Sequence, residues 1–190
     1  MLSPKLQKYK NQNPSAHGGD LSKNVRKTRR ALATSCTMHI VMRSIRAKGE
    51  WSMLKKRHKS KIAFLLRDTA KRYGIKLHGF QNVGNHLHIH VQTPSRRAWQ
   101  NFLRVLPQRI MFAVTGARRG NPKGRFWTLL AFSRIVEWGR EYAALKLYFW
   151  KNSLEALGLP RPIIDFLAQK KRGHELPPPF DHKVGLISVG

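Results

Sequence analysis

Acidic residues are what this chain most lacks. Its 190 residues hold 9 Asp and Glu against 37 Lys and Arg, for a formal net charge of +28 and a pI near 11.5. From Thr69 to Val136 there is no carboxylate at all, while Lys71, Arg72, Lys76, Arg96, Arg97, Arg104, Arg109, Arg118, Arg119, Lys123, Arg125 and Arg134 all fall inside that stretch. Solubility does not require such an excess. Whatever meets this surface should be strongly anionic, and a nucleic-acid backbone fits, with steeply salt-dependent binding. Cysteine is nearly missing too: Cys36 stands alone, which excludes an internal disulfide and a cysteine-type zinc site and leaves it the role of a small buried hydrophobe. No run of about 18 apolar residues and no charged-then-apolar amino-terminal pattern occurs, so neither a membrane span nor a secretory signal is expected. A cytoplasmic place is the resulting expectation. A disordered basic protein is also a poor fit, because 41% of the residues are hydrophobic, including five Trp and nine Phe.

Against that background three histidines alternate with aliphatic residues at Asn85-His86-Leu87-His88-Ile89-His90. In a strand, successive side chains point to opposite faces, so His86, His88 and His90 share one face and Leu87, Ile89 and Val91 the other. Two imidazoles on one face can hold one cation. Around this strand the chain divides into a basic mobile arm over residues 1–33, one domain over 34–159, and a weakly ordered tail over 160–190. Alternation predicts a strand over Thr37–Ile45, helical spacing a helix over Lys59–Tyr73, and Gly84-Asn85 the turn of a hairpin joining Ile75–Val83 to the histidine strand. A second helix opens at Pro94-Ser95 and runs to Gly116, with Pro107 expected to kink or split it. Residues Phe126–Val136 suit a fourth strand, and a last helix spans Trp138–Leu157 with Leu147, Trp150, Leu154 and Leu157 as its buried stripe. The order β-α-β-β-α-β plus a helix is that of an α+β ferredoxin-like sandwich, two helices covering one sheet face. Imidazoles sit poorly in an apolar layer, so the histidines belong on the other, open face.

On the last helix Tyr148 and Asn152 lie one turn apart and could approach the histidine strand together. The segment Gly84-Asn85-His86-Leu87-His88 resembles the histidine-hydrophobic-histidine motif of HUH nucleases, and Tyr148-Phe-Trp-Lys-Asn152-Ser-Leu-Glu-Ala156-Leu-Gly158 resembles the tyrosine helix of single-tyrosine transposases, in particular the REP-associated tyrosine transposase-like proteins. Further likeness lies in Met38-His39-Ile40-Val41-Met42-Arg43 and Ser133-Arg134-Ile135-Val136-Glu137-Trp138, so that it covers about Gly18 to Leu159. The resemblance implies a tyrosine hydroxyl, here Tyr148, that attacks a phosphodiester of single-stranded or hairpin DNA and leaves a 5′-phosphotyrosine and a free 3′-hydroxyl, without ATP. It also implies Mg²⁺ or Mn²⁺ held by His86, His88 and Asn152. A free phenol, with a pKa near 10, is a poor nucleophile and needs such electrostatic help.

The chain departs from the family pattern in two places. His90 stands where an aliphatic residue is usual, which opens a His88–His90 pair, or three imidazoles on a softer ion such as Zn²⁺, beside the His86–His88 pair that the motif's register favours. Ser153 replaces a proline after Asn152. Tyr142 is a rival nucleophile, expected on a different helix face. Arg26, Lys27, Arg29 and Arg30 of the arm and Arg118, Arg119, Lys123 and Arg125 of a basic turn are the candidate DNA contacts, while Trp99, Trp127 and Trp138 divide between core packing and base stacking. A non-catalytic hairpin-DNA or RNA binder on the same fold is the alternative function, and a homodimer exchanging its last helix the alternative to a monomer.

Overall fold

A computed structural model describes residues 2–23, 25 and 28–172. Its helices are α1 (Pro4–Gln12), α2 (Lys56–Arg72), α3 (Arg96–Thr115), α4 (Arg140–Ala156) and α5 (Arg161–Arg172). Its strands are β1 (Thr37–Arg43), β2 (Lys76–Asn82), β3 (His86–Gln92) and β4 (Phe132–Val136). The sheet is antiparallel throughout, in the order β2-β3-β1-β4, which is the expected ferredoxin-like arrangement.

One face of the sheet carries the alternating apolar residues Met38, Ile40 and Met42 of β1 and Leu87, Ile89 and Val91 of β3, all but inaccessible to water. Against them pack Ile62, Leu65 and Leu66 of α2 and Trp99, Phe102, Leu106 and Ile110 of α3, which recur at three- and four-residue spacing and so form one stripe per helix. The two helices are tied together by Arg109, whose guanidinium pairs with Asp68 and donates to Thr69 Oγ1. Ser95 caps α3 by accepting from the Ala98 amide, and Gly116 ends it in the left-handed conformation. Pro107 does not split α3; the helix runs through it, and the Pro107 carbonyl accepts from Trp127 Nε1 at 2.8 Å.

Several expectations are corrected. The fourth strand is confined to Phe132–Val136, because residues before it are spent on another contact: Ser44 Oγ donates to the Phe126 carbonyl, and the Thr128 amide donates to Arg43. The described residues of the 1–33 segment are docked on the domain rather than free. Ser3 caps α1 with Pro4 at its first turn, His17 exchanges backbone hydrogen bonds with Ser133 on β4, and Ser15 Oγ accepts from the Ile135 amide. Arg30 fastens this segment, donating to Ser133 Oγ at 2.6 Å and to the His17 carbonyl at 3.3 Å. Beyond Pro160, residues 161–172 form α5, where Ile164 and Ala168 are buried; residues 173–190 of the expected tail lie outside the described residues. Cys36 is half-buried rather than buried.

Candidate active site

The histidines lie on the sheet face opposite the core, as expected, but that face is not open. Helix α4 crosses it with Leu145 and Phe149 inward, and the Phe149 ring packs over Gly79 of β2. The expected buried stripe is thereby corrected: Leu147, Trp150 and Leu154 are half-buried and Leu157 is exposed. The start of α4 is held by Glu141, which accepts from the Glu137 amide at 2.9 Å and from Arg134 at 3.2 Å, a carboxylate placed where the helix dipole favours it.

Under α4, His88 and His90 are 5% and 2% exposed, while His86 at the strand end is half-buried. Burial pushes all three imidazoles below their ordinary pKa, His88 to about 4 and His90 to about 3, so all are neutral at pH 7 with a lone pair to offer. His86 and His88 are neighbours, their ring centroids 4.7 Å apart. The Tyr148 hydroxyl of the same chain lies 3.3 Å from His88 Nε2, and the Asn85 Oδ1 oxygen lies 2.6 Å from His86 Nδ1.

Tyr142 faces the sheet too, contrary to the expected separation of faces, but over a different pair. Its hydroxyl is 3.4 Å from His78 Nδ1 and its ring 5.0 Å from that of His90. Burial raises its pKa, which moves it further from a phenolate. His90 turns away from His86, with Nε2 at 2.7 Å from Thr37 Oγ1. The histidine nearest Tyr148 is thus His88, and His90 belongs with Tyr142 and His78.

Asn152 is one turn beyond Tyr148 and shares with it a cleft of about 310 Å³ lined also by Lys151, Glu155, Arg161 and Asp165. Its backbone carbonyl accepts from Gln81 Nε2 at 3.5 Å; Gln81 is the β2 partner of His88. The hydrogen bonds of the described residues include none from the Asn152 side chain to His86 or His88. Ser153, in the place of a proline, donates to Gln81 Oε1 at 2.9 Å and to the Phe149 carbonyl, so that it ties α4 to β2. Sequence reading passed over Gln81, because the strand register that sets it beside His88 was not legible there.

Arg43 was missed in the same way. It is the β1 partner of His86, exposed, and its positive charge lowers the His86 pKa further. The basic turn after α3 docks at this end of the sheet, where Arg46 donates to the carbonyls of Lys123 and Arg125 and stacks on Trp51. Arg118, Arg119 and Arg125 are exposed there and Lys123 is half-buried. Of the amino-terminal candidates, Arg29 is exposed, Arg30 is committed to Ser133 and His17, and Arg26 and Lys27 lie outside the described residues. Trp99 and Trp127 pack in or against the core, whereas Trp138 is 47% exposed beside His78 and Tyr142.

No described helix is long and apolar enough to cross a membrane. No curated protein matches the sequence. A family model described as "Transposase IS200 like" matches residues 32–129. Among solved structures, a REP-associated tyrosine transposase bound to a REP hairpin is similar at 13% identity and a TM-score of 0.47, over 70% of this chain and 74% of that one. A candidate transposase from Deinococcus radiodurans R1 is similar at 13% identity and a TM-score of 0.41, over 67% of this chain and 97% of the other.

Proposed function

Since this chain belongs to the IS200-like transposase family, we propose that it is a metal-dependent single-strand DNA endonuclease and strand transferase that uses Tyr148 as its nucleophile on single-stranded or hairpin DNA. The observation that carries this reading is the Tyr148 hydroxyl, 3.3 Å from a neutral imidazole of the His86–His88 pair in the same chain.

The residues fit a divalent ion in part. Two neutral imidazoles side by side suit Mn²⁺ better than Mg²⁺, which prefers oxygen, and the described residues hold no group of three His, Cys, Asp or Glu to complete a shell. His86 and His88 would hold the ion, with the Asn152 amide and substrate oxygens as the remaining donors. Bound there, it would polarise the scissile phosphate as a Lewis acid. Tyr148 supplies the attacking oxygen: its bond to phosphorus forms as the bond to the 3′-oxygen breaks, and the phenolic proton leaves as the 3′-hydroxyl gains one. One phosphodiester replaces another, so no ATP is consumed, and the free 3′-hydroxyl can reverse the exchange on a second strand. Arg43, beside His86, is placed to neutralise a non-bridging oxygen, and the exposed arginines of the basic turn continue the positive track. Leu145 and Phe149 exclude water from the buried side.

The test is to incubate the protein with Mn²⁺ or Mg²⁺ and labelled single-stranded hairpin oligonucleotides and look for a denaturant-resistant adduct. An adduct lost with Tyr148→Phe and with chelator supports the transferase. Among the described residues no hydrogen bond joins the Asn152 side chain to His86 or His88, and that favours the second reading, a non-catalytic binder of hairpin DNA or RNA. Tight, salt-sensitive binding without any adduct would establish that one instead.

A further inference from the structure

His39 lies in a segment that carries the family likeness but has been given no role so far, yet it is buried on the histidine face at 8% exposure. It lies diagonally across the β1–β3 pairing from His88, the two rings stacked with centroids 5.4 Å apart and planes 15° apart. His39 Nε2 is 3.2 Å from His88 Nδ1, and on the far side of the same His88 ring Nε2 faces the Tyr148 hydroxyl at 3.3 Å. Three side chains from β1, β3 and α4 therefore form one chain of hydrogen bonds. Packing alone would be served better by an apolar residue beside Phe149, because a buried imidazole costs free energy unless it is hydrogen-bonded.

Between two neutral imidazoles only one proton lies on the shared contact, so the chain has two polarities. If His39 donates, His88 carries its own proton on Nε2 and points it at Tyr148. If His39 accepts, His88 carries its proton on Nδ1 and turns the Nε2 lone pair toward Tyr148. For His86 the choice is already made: Asn85 Oδ1 can only accept, so His86 donates from Nδ1 and keeps its lone pair on Nε2. Ligating histidines in general give their second N–H to an acceptor that fixes ring and tautomer.

We propose that His39 is the positioning residue for His88: it accepts the His88 Nδ1 proton, so that the Nε2 lone pairs of His86 and His88 are presented together below Tyr148. Asn85, from the turn before β3, does for one imidazole what His39, from β1, does for the other. This rests on the transferase reading for its purpose, though not for its geometry.

The experiment uses the full chain labelled with ¹⁵N on histidine, free of metal at pH 7. Two-bond proton–nitrogen correlations tell a protonated ring nitrogen from a lone-pair nitrogen. In the wild type, His88 should show Nδ1 protonated and Nε2 as the lone pair. His39→Gln, whose amide oxygen can still accept, should keep that pattern, and His39→Leu should lose it. Mn²⁺ affinity, followed by electron paramagnetic resonance, should fall about 10–100-fold in His39→Leu and stay near the wild-type value in His39→Gln. A wild-type His88 protonated on Nε2 would overturn the proposal, as would wild-type Mn²⁺ affinity in a folded Leu variant. If the wild type binds no Mn²⁺, the metal reading fails by itself, and the ring-nitrogen spectrum still decides what His39 does.

Discussion

Mild acid should destabilise this protein, and the size of the effect can be worked out from two buried imidazoles. The unfolded chain binds a proton at each histidine near pH 6.5, whereas the folded chain resists it down to about 4 at His88 and about 3 at His90. Both folded values are depressed, so the stability linked to them is fully present above 6.5. It is lost as pH falls, until the folded ring itself takes up the proton. From pH 7 to pH 5 the linkage amounts to about 2 kcal/mol for each ring, or about 4 kcal/mol together. His39, held well below its ordinary pKa by the same burial, adds in the same direction. Against a typical total of roughly 5–15 kcal/mol, that is enough to move the unfolding midpoint visibly. Urea titrations followed by tryptophan fluorescence at pH 7 and pH 5 measure it. The His90→Gln variant removes one of the rings, so although it is less stable at pH 7, its loss on going to pH 5 should be about 2 kcal/mol smaller. Equal losses in the variant and the wild type would refute the reasoning.

Two other expectations concern the surface. Gly18 has φ of +83°, and a Cβ on it would lie 2.1 Å from the Ala131 carbonyl oxygen, so Gly18→Ala should lift the amino-terminal segment off β4. Hydrogen exchange at the Ser133 amide, which donates to the His17 carbonyl at 2.7 Å, should then quicken, and unchanged protection would count against this docking. Arg118→Ala with Arg119→Ala should lower the slope of log affinity against log salt for a single-stranded oligonucleotide by about 0.7 for each phosphate no longer neutralised. An unaltered slope would take the basic turn out of the binding surface.

Strand residues with strict alternation were legible from sequence: Met38, Ile40 and Met42 on one side and His86, His88 and His90 on the other settled which face was core. The register across strands was not, and it is register that brings Arg43 beside His86 and Gln81 beside His88. The inward side of α4 was misread because leucines and a tryptophan at helical spacing suggested an apolar partner. The surface it meets is made of imidazoles and Gly79, which Phe149 and Tyr142 suit better through ring contacts. Helix α1 did carry a signal, Ser3 followed by Pro4, a start pattern that the surrounding charge obscured. At α5 the stop formed by Gly158, Leu159 and Pro160 was real, but it ends one helix and admits another, with the Pro160 carbonyl accepting from Ile163 and Ile164. Pairing Tyr148 with His88 in preference to Tyr142 needed both the family's spacing and the fold.

Both outer strands of the sheet are blunted, and this limits how copies of so basic a molecule could aggregate. Along β4 the free edge is occupied by His17 and Ser15, and along β2 it is broken by a bulge between Leu77 and Gly79 and flanked by Lys76. Neither edge offers a straight run of unpaired amides onto which a second chain could zip. A polyanion that gathers many copies at high local concentration would therefore crowd folded units side by side without templating a continuous β-structure through them.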